Sequence, residues 1–253
     1  MELRTPEEIK IMAEGGRRLG IVLQKLKAMV KPGITTLALD QTARTLIEAD
    51  GDAPAFLNYR PGGARRAYPY TLCASVNNVV VHGQPSAMCV LKEGDIIKLD
   101  LGLVHKKLYL DAAITVGVGK ISAEAKKLMA VTEESLYAGI KEAKPGRSLG
   151  DIGYAIERVV LRNGFSVAEG LTGHGIGKKM HEDPAVFNFG TRGTGMKLAP
   201  GMVIAIEPMV TIGSGEIYQL RDEGYGTVDR TWAAHFEHTV AITEKGPMIL
   251  TKA

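Results

Sequence analysis

The sequence contains little cysteine, no long hydrophobic run and no strong excess of charge of one sign. Its two cysteines, Cys73 and Cys89, are too few for a disulfide framework and suit a reducing cytoplasm. No apolar stretch reaches the length of about 18 residues that a membrane span needs. No basic segment followed by an apolar one opens the chain. We therefore expect a cytoplasmic protein without a membrane span or a signal peptide.

The overall charge is ordinary for a globular protein. The net charge is +3, with 23% charged and 45% hydrophobic residues, and 253 residues can bury a core in one large domain or two small ones. The basic pairs are scattered along the chain: Arg17-Arg18, Arg65-Arg66, Lys106-Lys107, Lys126-Lys127 and Lys178-Lys179. Because they build no continuous arm, the sequence predicts no dedicated nucleic-acid site, although loose contact with an anionic partner stays open.

A pair of helices is predicted at the start of the chain. The first begins with the capping box Thr5-Pro6-Glu7-Glu8 and ends at Lys31-Pro32-Gly33. The second runs from near Thr36 to Asp50-Gly51. The region from about residue 53 to 119 then has the pattern of strands and loops.

The same pattern restarts after this region. A helix is predicted from Ser122 to Lys144-Pro145-Gly146. Another is predicted from Ser148, with Asp151 as its capping partner, to Asn163-Gly164. Strand-like segments occupy most of the remaining chain.

The strands of the two halves also match. Gly94–Asp100 parallels Gly201–Glu207, because in both a glycine leads an apolar strand that ends on a carboxylate. Leu110–Thr115 is mirrored by Phe236–Ala241. Chance similarity between short apolar strands is the alternative to a duplicated ααβ half, with halves of roughly 1–119 and 120–253. A symmetric fold would bring four carboxylates to one centre: Asp100, Asp111, Glu207 and Glu237.

Two of these carboxylates lie on a predicted β-hairpin. Asp95–Val104 and Leu108–Val116 are apolar strands joined by the polar turn His105-Lys106-Lys107. A symmetric register places Asp100 directly opposite Asp111, where two like charges are destabilising. Burial of carboxylates also costs free energy unless they are paired or bind a metal. A divalent cation between them is the economical interpretation, and solvent-facing acids on an exposed edge are the alternative.

A glycine-rich segment adds histidines to the four acids. Gly173–Lys179 contains His174, and His181 follows closely. The segment is not a phosphate loop of the Walker type, which needs glycine where Thr172 stands and Ser or Thr at Lys179. Four carboxylates and one imidazole suit two adjacent, moderately hard divalent ions. The residues alone thus predict a dinuclear metallohydrolase centre.

These motifs together resemble type I methionine aminopeptidases of the pita-bread fold over essentially the whole chain. The resemblance rests on His82-Gly83, the Asp100/Asp111 pair, Gly173–Gly177 with His181-Glu182, Ile206-Glu207-Pro208 and Phe236–Thr239. It implies an α+β fold in which a central curved antiparallel sheet is covered by helices. It also implies a single catalytic domain, residues 1–253, with two halves related by a pseudo-two-fold axis.

The resemblance also implies a set of site residues and a reaction. Two divalent ions (Mn, Fe, Co or Zn, whose identity stays open) would be bound by Asp100, Asp111, His174, Glu207 and Glu237, with Asp111 and Glu237 bridging. A metal-bridging hydroxide would remove the N-terminal methionine of nascent proteins and peptides with a small second residue. Glu207 would shuttle the proton, His181 would stabilise the oxyanion, and His82 would contact the scissile amide or its leaving nitrogen. The substrate pocket would include Tyr59, Tyr68, Cys73, His82, Met180, His181 and Tyr225.

Several positions depart from the family's usual pattern. Met180 stands where an aromatic residue is common and His235 where glutamine is common, and Lys98 takes the place of a smaller polar residue. Extra residues are expected around Pro61–Arg66, and Tyr225 lies in a shortened loop. None of these changes removes a metal ligand, so the reaction class is expected to hold while the side-chain preference stays open.

Two rival functions stay open beside this one. A proline-specific pita-bread peptidase would usually carry an extra N-terminal domain, for which this chain has no room. A non-catalytic binding module with the same fold would have lost the metal ligands. We expect a monomer that meets the N-terminus of a peptide or nascent chain, and the scattered basic pairs are compatible with transient contact with the ribosome.

Overall fold

The computed structural model describes residues 2–60, 62 and 65–253. The helices in this part of the chain are α1 (Pro6–Met29), α2 (Thr36–Ala49), α3 (Ala123–Glu142) and α4 (Leu149–Arg162). The strands are β1 (Ala53–Pro54), β2 (Leu72–Val76), β3 (Val79–Val81), β4 (Ile96–His105), β5 (Leu108–Gly117), β6 (Ser166–Val167), β7 (Thr172–Gly175), β8 (Glu182–Phe187), β9 (Val203–Ile206), β10 (Met209–Thr211), β11 (Ile217–Gln219), β12 (Tyr225–Thr227), β13 (Ala233–His235), β14 (Glu237–Thr243) and β15 (Gly246–Ile249). Among the described residues, no helix is both long enough and apolar enough to cross a membrane.

The helix starts follow from their capping residues. The backbone N–H of Glu8 donates to the Thr5 hydroxyl at 3.2 Å, and the Thr5 N–H donates to the Glu8 carboxylate at 2.8 Å. At α4, the Asp151 carboxylate accepts hydrogen bonds from the Ser148 N–H and hydroxyl, both at 2.8 Å. The predicted positions of all four helices are confirmed to within two residues.

A nine-stranded antiparallel sheet lies at the centre of the fold. Its main path runs β1-β4-β5-β14-β9-β7-β8, with β2 added to β4 and β15 to β14. The strands that matched in sequence, β4 with β9 and β5 with β14, stand symmetrically about the β5–β14 pairing. The first helix pair packs against β2, β4 and β5, and α3 and α4 pack against strands of the second half. The expected α+β class with a helix-covered antiparallel sheet is confirmed.

The β4–β5 hairpin differs from its predicted register. The turn consists of Lys106 and Lys107 alone, both with positive φ (48° and 69°), so Asp100 pairs with Ala113 and Asp111 pairs with Gly102. The prediction that the two aspartates stand directly opposite each other is wrong. The reason is the tight two-residue turn, which shifts the register by two positions relative to the symmetric prediction. Because a shift of two keeps side chains on the same face, both carboxylates still point the same way.

The two faces of this hairpin have different roles. Leu99, Leu101 and Leu110 point into a buried core built with α1 and α2. Successive side chains of a strand alternate between faces, so Asp100 and Asp111 lie on the side away from this core. A second core joins α3 and α4 to strands of the second half. The acids therefore stand on a sheet that is held from behind by close-packed apolar side chains.

Replacing Gly16 by alanine should destabilise the protein although alanine is the better helix former. A Cβ at this α1 position would lie 2.3 Å from the carbonyl oxygen of Leu250, a clash that we expect to cost about 1–3 kcal/mol. The gain in helix propensity is about 1 kcal/mol. We expect a lower denaturation midpoint in guanidinium chloride, with Lys25→Ala on the exposed face of α1 as control. A midpoint above that of the wild type would contradict this packing.

Candidate metal centre

The central sheet brings five predicted ligand residues to the wall of one cavity of about 510 Å³. They are Asp100 on β4, Asp111 on β5, His174 on β7, Glu207 directly after β9 and Glu237 at the start of β14. Four of them lie on paired strands of the sheet, where backbone pairing restricts their position, and Glu207 directly follows a paired strand. The cavity is thus lined by acids contributed from both halves of the chain.

Strand pairing explains how the carboxylates converge. Ala113 pairs with Asp100 on one side and with Glu237 on the other, so the two acids flank a small side chain in one row across three strands. Asp111 lies two residues along the same face, opposite Gly102. The Thr239 hydroxyl donates to the Asp111 carbonyl at 2.7 Å and accepts from its N–H at 3.0 Å. Two hydrogen bonds to its backbone and the small residues beside it therefore fix the position of Asp111 next to the other acids.

His174 presents one ring nitrogen to these carboxylates. Its Nδ1 lies 2.9 Å from the carbonyl oxygen of Gly175, a contact that requires Nδ1 to carry the proton. Nε2 then carries a free lone pair, and the atom lies 3.6 Å from Glu207 Oε1 and 3.9 Å from Asp111 Oδ2. Two ligand atoms that each lie about 2.1 Å from one cation are separated by about 3–4 Å. The spacing therefore suits a shared cation better than a direct hydrogen bond.

Several carboxylate oxygens of the centre lack a hydrogen-bond partner in the described part of the chain. Oxygens of Asp100, Asp111 and Glu237 are buried and accept no hydrogen bond among the described residues. Burial raises the pKa of Asp100 to about 7, and burial together with neighbouring carboxylates raises the pKa of Asp111, Glu207 and Glu237 well above the usual value. A divalent cation would supply the missing partner and keep these groups ionised. The donor set thus fits divalent metal.

Two histidines on the cavity wall are predicted to contact substrate. The Tyr59 hydroxyl lies 2.8 Å from Nδ1 of His181, whose ring stands perpendicular to that of His174 with centroids 4.4 Å apart. His82 lies in the loop after β3 with φ of +58° and packs edge-on against Tyr225. Burial lowers the pKa of His181 and takes the pKa of His82 to about 4. Both imidazoles are therefore neutral at pH 7.

Most of the predicted substrate pocket lies on this same cavity. Tyr59, Tyr68, Cys73, His82, His181 and Tyr225 line it. Met180 is placed differently, since it is 1% exposed, belongs to the core packed behind Tyr59 and is not among the residues that line the cavity. Of the expected extra residues, Gly62 and Arg66 line the cavity, whereas Pro61, Gly63 and Ala64 lie outside the described residues.

Sequence reasoning missed several residues that line the cavity. Phe56 adds an aromatic wall, and Asp222 and Glu223 bring acids from the loop before Tyr225. The Gln84 amide bridges two walls by donating to the Asp222 carbonyl at 2.8 Å. The polar segment before Tyr225 could have indicated that Asp222 and Glu223 lie near the cavity. Nothing in the sequence pattern singled out Phe56, which precedes an irregular segment.

His235 is a further site residue to which the sequence assigned no role. Its side chain is 1% exposed, and its Nε2 lies 3.6 Å from Glu207 Oε2 and 4.0 Å from Glu237 Oε2. Burial lowers its pKa to about 3, so that the ring is neutral at pH 7. The sequence analysis noted only that His235 stands where glutamine is common in the family that the chain resembles.

Comparison with known proteins identifies the family of this site. Residues 10–244 match the family model of metallopeptidase family M24. The chain belongs to metallopeptidase family M24. M24 membership makes it a hydrolase and implies that the carboxylate-rich cavity binds divalent metal.

Individual M24 relatives match along the whole chain. The protein is 46% identical to methionine aminopeptidase 1 of Bacillus subtilis, over 98% of both chains. The crystal structure of methionine aminopeptidase from Thermotoga maritima matches with a TM-score of 0.95 and 40% identity, and all of both chains is covered. An Xaa-Pro dipeptidase from Bacillus anthracis has a TM-score of 0.79 but 20% identity, and 62% of that chain is covered. This last likeness shows a common fold alone. The predicted pita-bread fold and metallopeptidase class are confirmed.

The raised pKa of Asp111 predicts an unusual stability change in the metal-free M24 protein. A carboxyl whose pKa is higher in the folded state than its unfolded value of about 4 loses stability as pH rises through that interval. In chelator, Asp111→Asn should therefore unfold at higher denaturant than the wild type. We expect an advantage at pH 7.5 that shrinks towards pH 4. The measurement is urea unfolding across this pH range.

The control variant, Asp229→Asn, is expected to change the free energy of unfolding in the opposite direction. Hydrogen bonds from Thr231 and Ser214 lower the pKa of Asp229, an exposed carboxylate. Asp229→Asn should therefore lose stability at neutral pH instead of gaining it. A metal-free Asp111→Asn protein less stable than the wild type at pH 7.5 would remove the argument that the four acids repel one another.

Proposed function

We propose that this M24 enzyme hydrolyses the peptide bond after an N-terminal methionine when the second residue is small. The observation that carries the proposal is the convergence of an intact carboxylate–histidine set and two neutral histidines on one cavity. The full-length likeness to proteins named methionine aminopeptidase supports the same substrate. The substrates would be peptides and nascent proteins in the cytoplasm.

Two divalent cations would occupy the centre. Four carboxylates carry four negative charges, which two divalent cations would balance, whereas one would leave two buried charges uncompensated. The cations would be held by Asp100, Asp111, His174, Glu207 and Glu237. When bound, they would supply Lewis acidity and an activated water at neutral pH. Manganese, iron, cobalt and zinc all suit this donor set, and cellular supply decides among them.

The protein's own groups would manage the protons. Glu207 lies on the cavity wall, where it would accept a proton from the attacking water and pass it to the leaving amine. Burial raises the pKa of the Tyr59 phenol, which therefore stays protonated and donates to Nδ1 of His181. His181 then carries its own proton on Nε2, where it would stabilise the developing oxyanion. His82 would contact the scissile amide or its leaving nitrogen.

The shape of the cavity suits a methionine side chain and a small second residue. One wall of the cavity is apolar and lies close to the carboxylates; it is formed by Phe56, Tyr59, Tyr68 and Cys73. The Tyr68 hydroxyl does not disturb this wall, because it is hydrogen-bonded to the backbone carbonyls of Leu72 and Gly83. Met180 would support this wall from behind. On the other side, the packed rings of His82 and Tyr225 would narrow the path taken by the second residue.

The rival functions have less support. A proline-specific peptidase rests on a likeness in fold to a chain of which this protein covers 62%. A non-catalytic binding module would have no reason to keep five metal-ligand residues together around one cavity, three of them with a buried oxygen that lacks a partner among the described residues. We propose a single catalytic domain that acts as a monomer, and the scattered basic pairs would allow transient contact with the ribosome.

Metal-stripped protein should cleave Met-Ala-Ser only after manganese or cobalt is added back. Met-Leu-Ser should be cleaved with a kcat/KM at least about tenfold lower, because the larger side chain meets the His82–Tyr225 wall. Ala-Pro-Ala should not be cleaved. The measurement is release of the first amino acid by mass spectrometry. Cleavage of the proline peptide alone would move the enzyme to the proline-specific branch, and efficient cleavage before leucine would contradict the narrow second site.

Asp111→Asn should remain folded but bind divalent metal weakly and lose turnover. The change replaces one charged ligand oxygen of the proposed centre by an amide nitrogen while it keeps the size of the side chain. We expect at least about a thousandfold loss of kcat for Met-Ala-Ser, with an unchanged circular dichroism spectrum. Asp50→Asn, at the exposed end of α2, is the matched control and should retain activity. Wild-type turnover in Asp111→Asn would refute the ligand assignment.

A further inference from the structure

His235 is held firmly beside the metal centre by its backbone. It ends β13 and pairs with Met209 of β10. The Thr115 hydroxyl donates to the His235 carbonyl at 2.7 Å and accepts from the His235 N–H at 2.9 Å. The backbone of His235 is therefore held in place from β5, the strand that also carries Asp111.

The ring of His235 mirrors that of His174 across the Glu207 carboxylate. Nε2 of His235 lies 3.6 Å from Glu207 Oε2, and Nε2 of His174 lies 3.6 Å from Glu207 Oε1. Each imidazole has a second carboxylate at a similar distance, Glu237 Oε2 at 4.0 Å for His235 and Asp111 Oδ2 at 3.9 Å for His174. These separations exceed a hydrogen bond and match two ligand atoms on one cation.

The ring also has no other use within the described part of the chain. Both Nδ1 and Nε2 of His235 are buried and have no hydrogen-bond partner there. An unsatisfied buried polar group costs about 1–3 kcal/mol, so two on one ring call for a partner outside the protein. Glu207, His235 and Glu237 also have ligand atoms that all lie within 4.8 Å of one another.

We propose that His235 is an additional metal ligand, which binds through Nε2 on the side of Glu207 that faces away from His174. This inference rests on the proposed function only in so far as divalent metal binds at Glu207 and Glu237. It gives the centre two nitrogen donors. Imidazole favours cobalt, nickel and zinc over manganese, so His235 would shift the metal preference of this chain towards them.

The direct test counts histidine ligands in the cobalt-loaded wild-type protein. Proton NMR with ¹⁵N-labelled histidine should show strongly paramagnetically shifted ring resonances from two bound histidines. His235→Gln should retain one of them. His238→Gln is the matched control, since the His238 ring bonds to the Thr251 hydroxyl at 2.8 Å instead of to the carboxylates, and it should retain both. One bound histidine in the wild type would overturn the proposal.

Metal affinity separates a ligand from a residue that only positions Glu207. By calorimetric titration, His235→Gln should weaken zinc or cobalt binding at least about tenfold more than manganese binding. An equal loss for all these metals would mean that His235 acts through Glu207, and it would overturn the proposal. If the variant does not fold, the histidine count in the wild type still decides.

Failure of the underlying function would look different. A wild-type protein that binds no cobalt, zinc or manganese would overturn both the proposed function and the role of His235. A wild-type protein that binds metal and releases methionine, but shows one bound histidine, would overturn the role of His235 alone.

Discussion

The mutual repulsion of four buried carboxylates is the constraint around which this structure is arranged. Such groups are costly inside a protein unless positive charge balances them, and here burial and neighbouring acids raise their pKa values. A flexible loop could relieve the repulsion by moving the acids apart. Sheet strands backed by two apolar cores cannot move so easily. The rigidity that makes the metal-free site unfavourable is what prepares it for cations.

The duplicated architecture explains why the acids meet at all. Each half contributes one carboxylate on an inner strand, and the β5–β14 pairing joins these strands at the centre of the sheet. The outer acids then follow on β4 and after β9. A site of this composition needs only one strand contact between the halves. The Thr239 hydroxyl of β14 reinforces that contact through the Asp111 backbone, and the Thr115 hydroxyl of β5 binds the backbone of His235 at the end of β13.

Sequence patterns predicted the helices, the repeat and the convergence of the acids, because each depends on local periodicity or on symmetry. The register of the hairpin was not predictable in the same way. Lys106 and Lys107 both adopt positive φ, which their residue types do not favour, so the two-residue turn left no signal. The placement of Met180 behind the cavity and of Phe56 on its wall had no sequence signal for a different reason. Whether they face the cavity depends on the packing of distant loops, which no local pattern encodes.

Lys98 shows why an unusual residue beside the acids need not compete with metal. It lies on the same face of β4 as Asp100 and is fully buried, so a charged amine there would pair with the carboxylates in place of a cation. Burial lowers its pKa well below the usual value, and its Nζ donates to the Asn77 carbonyl at 2.6 Å. Among the described residues it forms no ion pair. Because this amine is hydrogen-bonded to Asn77 and forms no ion pair with the acids among the described residues, all four carboxylates stay available to the cations.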